Sequence, residues 1–189
     1  MTKQKTKQVM GPSNIIFLGC SVDTKLKTGQ ACMLALSPEE YTSLSTNPQK
    51  KLNFITEKFL DTSPSRLELQ TTLWAINSQK QDAIAPPITL CSNFRTMNNL
   101  LERRLKLEQT NYISTTSGLI VPNADLMGEF FDLYDSYPFN LLPPDQLDND
   151  FPEKNNILFL INQATEHSRE RLRLDVKEKT TDEISNKWF

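Results

Sequence analysis

Carboxylates are the side chains best placed to do chemistry in this chain. Glu68 is the single acid of a helix-forming stretch, residues 65–76. Asp145, Asp148, Asp150 and Glu153 crowd one proline-flanked loop, and Asp125, Glu129 and Asp132 follow one another on neighbouring helical turns. Hard cations such as Ca²⁺ and Mg²⁺ want such oxygen ligands, but the loop lacks the spacing and the glycine of an EF-hand. Acids near a helix start are favoured there by the helix dipole alone. A thiol–imidazole pair would need His167, the only histidine, to reach Cys20 or Cys91 from a charged run holding Glu166, Arg169 and Glu170. Gly118 and Gly128 have no glycine partners at the spacing of a phosphate loop. No CxxC or Cys/His cluster exists, which argues against a structural zinc site.

Composition bounds the rest. With 189 residues, 38% of them apolar, the chain has the size of one domain with a single core. Its formal charge of -2 predicts neither a general nucleic-acid binder nor a membrane-surface protein. No apolar run approaches the ~20 residues that span a bilayer, and no signal-peptide core follows the basic start. Cys20, Cys32 and Cys91 lie scattered in apolar runs and read as reduced core thiols in a cytoplasmic setting. Charge is unevenly spread: residues 108–153 hold nine of the 23 acids and none of the 21 bases.

Alternating strands and helices must position these groups. Residues 1–13, with Lys3, Lys5 and Lys7, read as a disordered basic leader, a nucleic-acid arm being the alternative. Residues 14–21 are continuously apolar, as in a central strand buried on both faces. Residues 29–36 and 53–60 form a second and a third strand around a polar insertion at 37–52. Ser63 and Pro64 supply the cap and first turn of the 65–76 helix. Its Leu69, Leu73 and Ile76 recur at helical spacing, and Leu67 and Trp74 widen the stripe. A fourth strand at 88–93 precedes a short helix at 97–107, with Leu100, Leu101 and Leu105 inward. Arg95, Arg103, Arg104 and Lys106 form its exposed basic face. A helix at 124–137, a short fifth strand at 138–142 and a helix at 153–174 complete a domain spanning 14–174. Residues 175–189 read as a charged C-terminal tail.

This element order resembles the ribonuclease H fold, an α/β domain with a five-stranded mixed sheet flanked by helices. Short motifs agree with it. Ser65-Arg66-Leu67-Glu68-Leu69 resembles the family's Asn-Arg-Met-Glu-Leu, and Leu18-Gly19-Cys20-Ser21 its Thr-Asp-Gly-Ser. Leu90-Cys91-Ser92-Asn93 is similar to its Tyr-Thr-Asp-Ser. Thr116-Ser117-Gly118 through Val121-Pro122-Asn123-Ala124-Asp125-Leu126-Met127 is similar to the Lys-Pro-Val-Lys-Asn-Val-Asp-Leu-Trp segment of bacterial type 1 enzymes. Phe151-Pro152-Glu153 resembles their His-Pro-Glu-Asn. The likeness covers residues 14–171.

In that family four carboxylates converge on two Mg²⁺ ions. The resemblance implies that Gly19 stands for the first Asp, Glu68 for the Glu, Asn93 for the second Asp and Leu158 for the last. Asp148 falls near the mobile His. One charged ligand of four remains, so the expectation is a degenerate site without metal, on a domain that serves as a protein-binding or scaffold module. A protein partner would meet the acidic side, with Asp145, Asp148 and Asp150, where the family carries a basic handle. Two alternatives stay open. One is RNA/DNA hybrid binding through Arg95, Arg103, Arg104 and Lys106, joined by Lys3, Lys5 and Lys7. The other is a residual Mg²⁺-dependent nuclease that recruits Asp23 or Asp148 beside Glu68.

Overall fold

The apolar run at the start of the domain becomes the middle of a sheet. In the computed structural model, which describes residues 13–46, 51–82, 87–97, 99–147 and 153–185, β1 (Asn14–Asp23) is buried from Ile15 to Gly19. It pairs antiparallel with β2 (Thr28–Leu36) and parallel with β4 (Ile88–Cys91). β3 (Ile55–Phe59) and β5 (Phe139–Leu142) lie outermost, giving the five-stranded order β3-β2-β1-β4-β5. The sheet is mixed and flanked by helices: β2 runs antiparallel and β4 parallel to β1, as expected from the sequence. β3, expected antiparallel to β1 as well, instead pairs antiparallel with β2 and so runs parallel to β1, and β5 pairs parallel with β4.

Successive side chains of a strand point to opposite faces, so β1 feeds two cores. Ile16 and Leu18 join α2 (Pro64–Gln81), α3 (Leu100–Gln109) and α4 (Ala124–Ser136). Ile15 and Phe17 join α1 (Pro38–Thr46) and α5 (Lys154–Ser185). α2 starts as its sequence dictates: Pro64 occupies the first turn and the Ser63 hydroxyl accepts from the Arg66 amide. Leu67, Leu69, Leu73 and Ile76 are buried, and Trp74 packs at the edge of that core.

Three elements depart from expectation. The polar insertion at 37–52 contains α1, which opens on a capping box: Ser37 Oγ accepts from the Glu40 amide at 3.2 Å and Glu40 Oε2 accepts from the Ser37 amide at 3.0 Å. Tyr41 and Leu44 then cover the α5-side core. α3 begins only at Leu100, and Leu105 is 67% exposed instead of inward. α5 runs 32 residues, about 48 Å, straight through the boundary expected at residue 175. Ile157, Leu160, Ile161, Ala164, Ser168 and Leu172 form its buried stripe, and Asp175 extends it. Asp175 accepts from Gln30 Nε2 at 2.8 Å on β2 and pairs with Lys58 at 2.8 Å on β3. The start of the expected tail is therefore a clamp on the sheet. The basic leader, with Lys3, Lys5 and Lys7, lies outside the described residues, apart from Ser13, whose buried hydroxyl bonds that of Thr89 at 3.1 Å.

α5 comes unusually close to the sheet where β1 has no side chain. A Cβ on Gly19 would sit 2.3 Å from the Thr165 amide nitrogen and 2.5 Å from the Ala164 carbonyl carbon. Both are backbone atoms, which cannot rotate aside. Gly19→Ala is expected to cost about 3 kcal/mol, the upper part of the range for overpacking, as read from urea unfolding. An unchanged midpoint would mean that α5 lifts off β1 freely. The clamp gives a second expectation. Burial alone would raise the Asp175 carboxyl, but Lys58, Gln30 and Arg171 outweigh it and hold it below the usual carboxylate range. A depressed carboxylate stabilises fully above its unfolded value near pH 4 and loses that contribution as the pH falls through the folded value. Asp175→Asn should therefore lower the urea midpoint most at neutral pH, and its deficit should shrink below about pH 4. A deficit constant down to pH 2 would contradict the ion pairing.

Candidate functional site

Glu68 projects from the first turns of α2, whose start is fixed by the Ser63 cap. The carboxylate is half-buried, and its Oε2 accepts from the Thr96 amide at 2.8 Å. This bond ties the start of α2 to the turn that follows β4. On the neighbouring strand, burial first and then the charge of Glu68 push the Cys20 thiol up to about 12. Cys20 therefore faces Glu68 and stays protonated at neutral pH. Burial likewise pushes Cys32 and Cys91 up to about 12, and all three thiols are free. Thiols of this kind are poor nucleophiles and poor metal ligands.

The position assigned to the first ligand needs correction. Gly19 does not face Glu68: its missing side chain points at the backbone of α5, on the opposite side of the sheet. Strand alternation puts Leu18 and Cys20 on the Glu68 side. Asn93 is exposed beyond the end of β4, whereas its neighbour Ser92 is buried. Leu158 is half-buried next to Ile157, which enters the α5-side core. Asp23 is no spare ligand either, because its Oδ1 accepts from the Lys25 and Leu26 amides at 2.9 and 3.0 Å and shapes the β1–β2 turn. Asp148 and Asp150 lie outside the described residues, and Asp145 is exposed in a 3₁₀ turn, Pro144–Gln146. On the Glu68 side of β1 the side chains thus offer a hydrocarbon, Leu18, and a protonated thiol, Cys20. Among the described residues no group of three or more His, Cys, Asp or Glu side chains could hold a metal ion. This donor set does not fit a pair of Mg²⁺ ions.

The basic face is also rearranged. Arg104 forks onto Asp135 with two bonds of 2.6 Å, donates from Nε to Glu108 at 2.7 Å, and lies 5.1 Å over the Phe131 ring. The Asp135 carboxyl is held below its ordinary range by that guanidinium. Arg66 makes a second fork, onto Asp125 at 2.7 and 3.1 Å. Arg95, Arg103 and Lys106 remain exposed. Sequence reasoning missed both forks and the Thr96 bond, since pairing between residues tens of positions apart leaves no local periodicity.

Comparison with solved structures settles the architecture. A foamy viral protease–reverse transcriptase in complex with dsDNA superposes at TM-score 0.54 and 9% identity, over 82% of this chain and 92% of that one. The native prototype foamy virus protease–reverse transcriptase matches at TM-score 0.55 and 10% identity, over 85% of this chain but only 22% of that chain. LC9-RNase H1, a type 1 RNase H with the type 2 active-site motif, matches at TM-score 0.55 and 10% identity over 86% and 74% of the two chains. The fold is ribonuclease H-like. At such identities the likeness is one of fold alone. No family model matches the sequence, and no curated protein matches it. Among the described residues no helix of this ribonuclease H-like domain is long and apolar enough to cross a membrane.

The Glu68–Thr96 bond makes a testable statement about this carboxylate. Glu68→Ala leaves the Thr96 amide without its acceptor and should cost about 1–3 kcal/mol of unfolding free energy. Glu68→Gln keeps a carbonyl oxygen in place and should cost less, because a neutral acceptor gives roughly half the strength of a charged one. Parent-like stability of Glu68→Ala would mean that the carboxylate is not held.

Proposed function

We propose that this chain is a ribonuclease H-like domain without nuclease activity, working as a protein-binding or scaffold module in the cytoplasm. The observation that carries the proposal is that Glu68 is bonded through one oxygen to Thr96 and that, among the described residues, no group of three or more His, Cys, Asp or Glu side chains could hold a metal ion. Two-metal hydrolysis needs several carboxylates to set the ion spacing and offset the positive charge. A single one does neither. Protein binding is favoured over polyanion binding by the acids of residues 108–153, of which Asp125, Glu129, Asp132 and Asp135 are all exposed on α4. Phosphate affinity rests on Lys and Arg displacing counterions, and Arg66 and Arg104 are already paired to Asp125 and Asp135.

A second reading is hybrid binding through Arg95, Arg103 and Lys106. Their exposure favours it, as does the dsDNA in one of the foamy viral structures. Two assays separate the readings. Incubation of a labelled RNA/DNA hybrid with Mg²⁺ or Mn²⁺ should give no cleavage, and calorimetric titration with Mg²⁺ no saturable heat. Turnover that disappears in Glu68→Gln would overturn the proposal. Fluorescence anisotropy of the same hybrid should show only weak, strongly salt-dependent association. Tight binding at physiological salt that is lost in Arg103→Glu and Lys106→Glu would establish the second reading instead.

A further inference from the structure

β5 is the outermost strand on its side of the sheet. One edge pairs with β4, and among the described residues no strand pairs with the other. An unpaired edge offers a row of backbone N–H and C=O groups to any chain that lies alongside it in extended form. Next to this edge a cleft of about 270 Å³ is lined by Leu141 and Pro143 from the β5 side, Leu101 and Glu102 from α3, and Tyr134 and Ser92. That volume falls just short of the ~300 Å³ at which small-molecule pockets begin, and it suits one large apolar side chain. Glu102 is exposed and makes no ion pair among the described residues, while its neighbour Arg104 is fully engaged by Asp135 and Glu108. Asp145, just after β5, is exposed as well. Among the described residues Glu102 is thus the one charged side chain that lines the cleft.

We propose that the free edge of β5 and the adjoining cleft take up an extended peptide segment of a partner protein. The segment adds as a further strand, seats one apolar side chain in the cleft and places a Lys or Arg on Glu102. This rests on the protein-binding reading above and names its surface and its partner chemistry. Strand addition draws affinity from main-chain bonds and selectivity from pockets that read alternate side chains. With a strand period of two, an apolar residue and a basic residue two positions apart reach the same face of the sheet. β5 has only four residues, and a short edge by itself guards against indiscriminate pairing. Discrimination then falls to the cleft and to Glu102. A nucleic-acid strand is disfavoured in this cleft, where Glu102 would meet its phosphates.

The test pans the full chain against a displayed library of random short peptides. Enriched sequences are then made with a fluorescent label and measured by anisotropy. The expected result is a proline-free run with Lys or Arg two positions from a large apolar residue. Affinity should fall about tenfold or more in Glu102→Lys and in Leu101→Trp, which fills the cleft. It should not change in Glu57→Lys on β3 at the opposite edge. Amide exchange at residues 139–142 should slow in the complex. Glu102 is exposed, so its charge reversal keeps the test decisive even where Leu101→Trp fails to fold. Enriched peptides indifferent to Glu102→Lys, or weakened by Glu57→Lys, would remove this site while leaving protein binding elsewhere intact. Absence of any enrichment would overturn the site, and the cleavage and hybrid-binding assays judge the broader reading independently.

Discussion

The contact between Gly19 and the backbone of α5 is the constraint on which the rest of the structure depends. A long helix can press this closely onto the central strand only where small residues meet, and Gly19, Ala164 and Ser168 supply that seam. Held there, α5 covers β1 and β2 along its length. Its far half then reaches Gln30 and Lys58, where Asp175 fastens it. The opposite face of the sheet is left to α2 and α4. Glu68 and the α4 acids thus owe their positions to a packing decision made on the other side of the molecule.

On that side, charge is spent on cohesion. Glu68 could in principle serve a metal ion, but here it bonds a backbone amide. Arg66 and Arg104 could face phosphate, but each is forked onto a carboxylate of α4. Exposed pairs of this kind contribute little to stability individually. Their larger effect is on what the surface presents. They engage two of the bases on this side with carboxylates, while Glu129 and Asp132 of the same helix stay exposed.

The fold was largely legible in the sequence because its signals are local: the continuous apolar run of β1, the Ser63–Pro64 start of α2, and the stripe of Leu126, Met127, Phe130 and Phe131 on α4. α1 was missed, because the polar composition of residues 37–52 masked the Ser37–Glu40 cap that opens it. The continuation of α5 was hidden for the opposite reason. Asp175 looks like the start of a solvated tail until Gln30 and Lys58, far away in the chain, are seen to meet it. Leu105 fits an inward stripe by spacing alone, yet α3 packs through Leu100 and Leu107. The site was the least legible part. A short motif aligned by letters fixes no strand phase, and a shift of one residue moves a side chain through the sheet.

That phase also says where a second carboxylate could be set beside Glu68. A carboxylate restored at residue 19, where the letters of the motif suggest it, would be driven into the peptide backbone of α5. One placed at 18 or 20 would look across at Glu68 instead. Of the two, residue 20 is half-buried and residue 18 is closed off from solvent, so an added acid would be hydrated more readily at 20. The glycine of β1 is thus better regarded as the keel of the domain than as the scar of a lost ligand. An engineer seeking a metal centre in this scaffold would leave it alone.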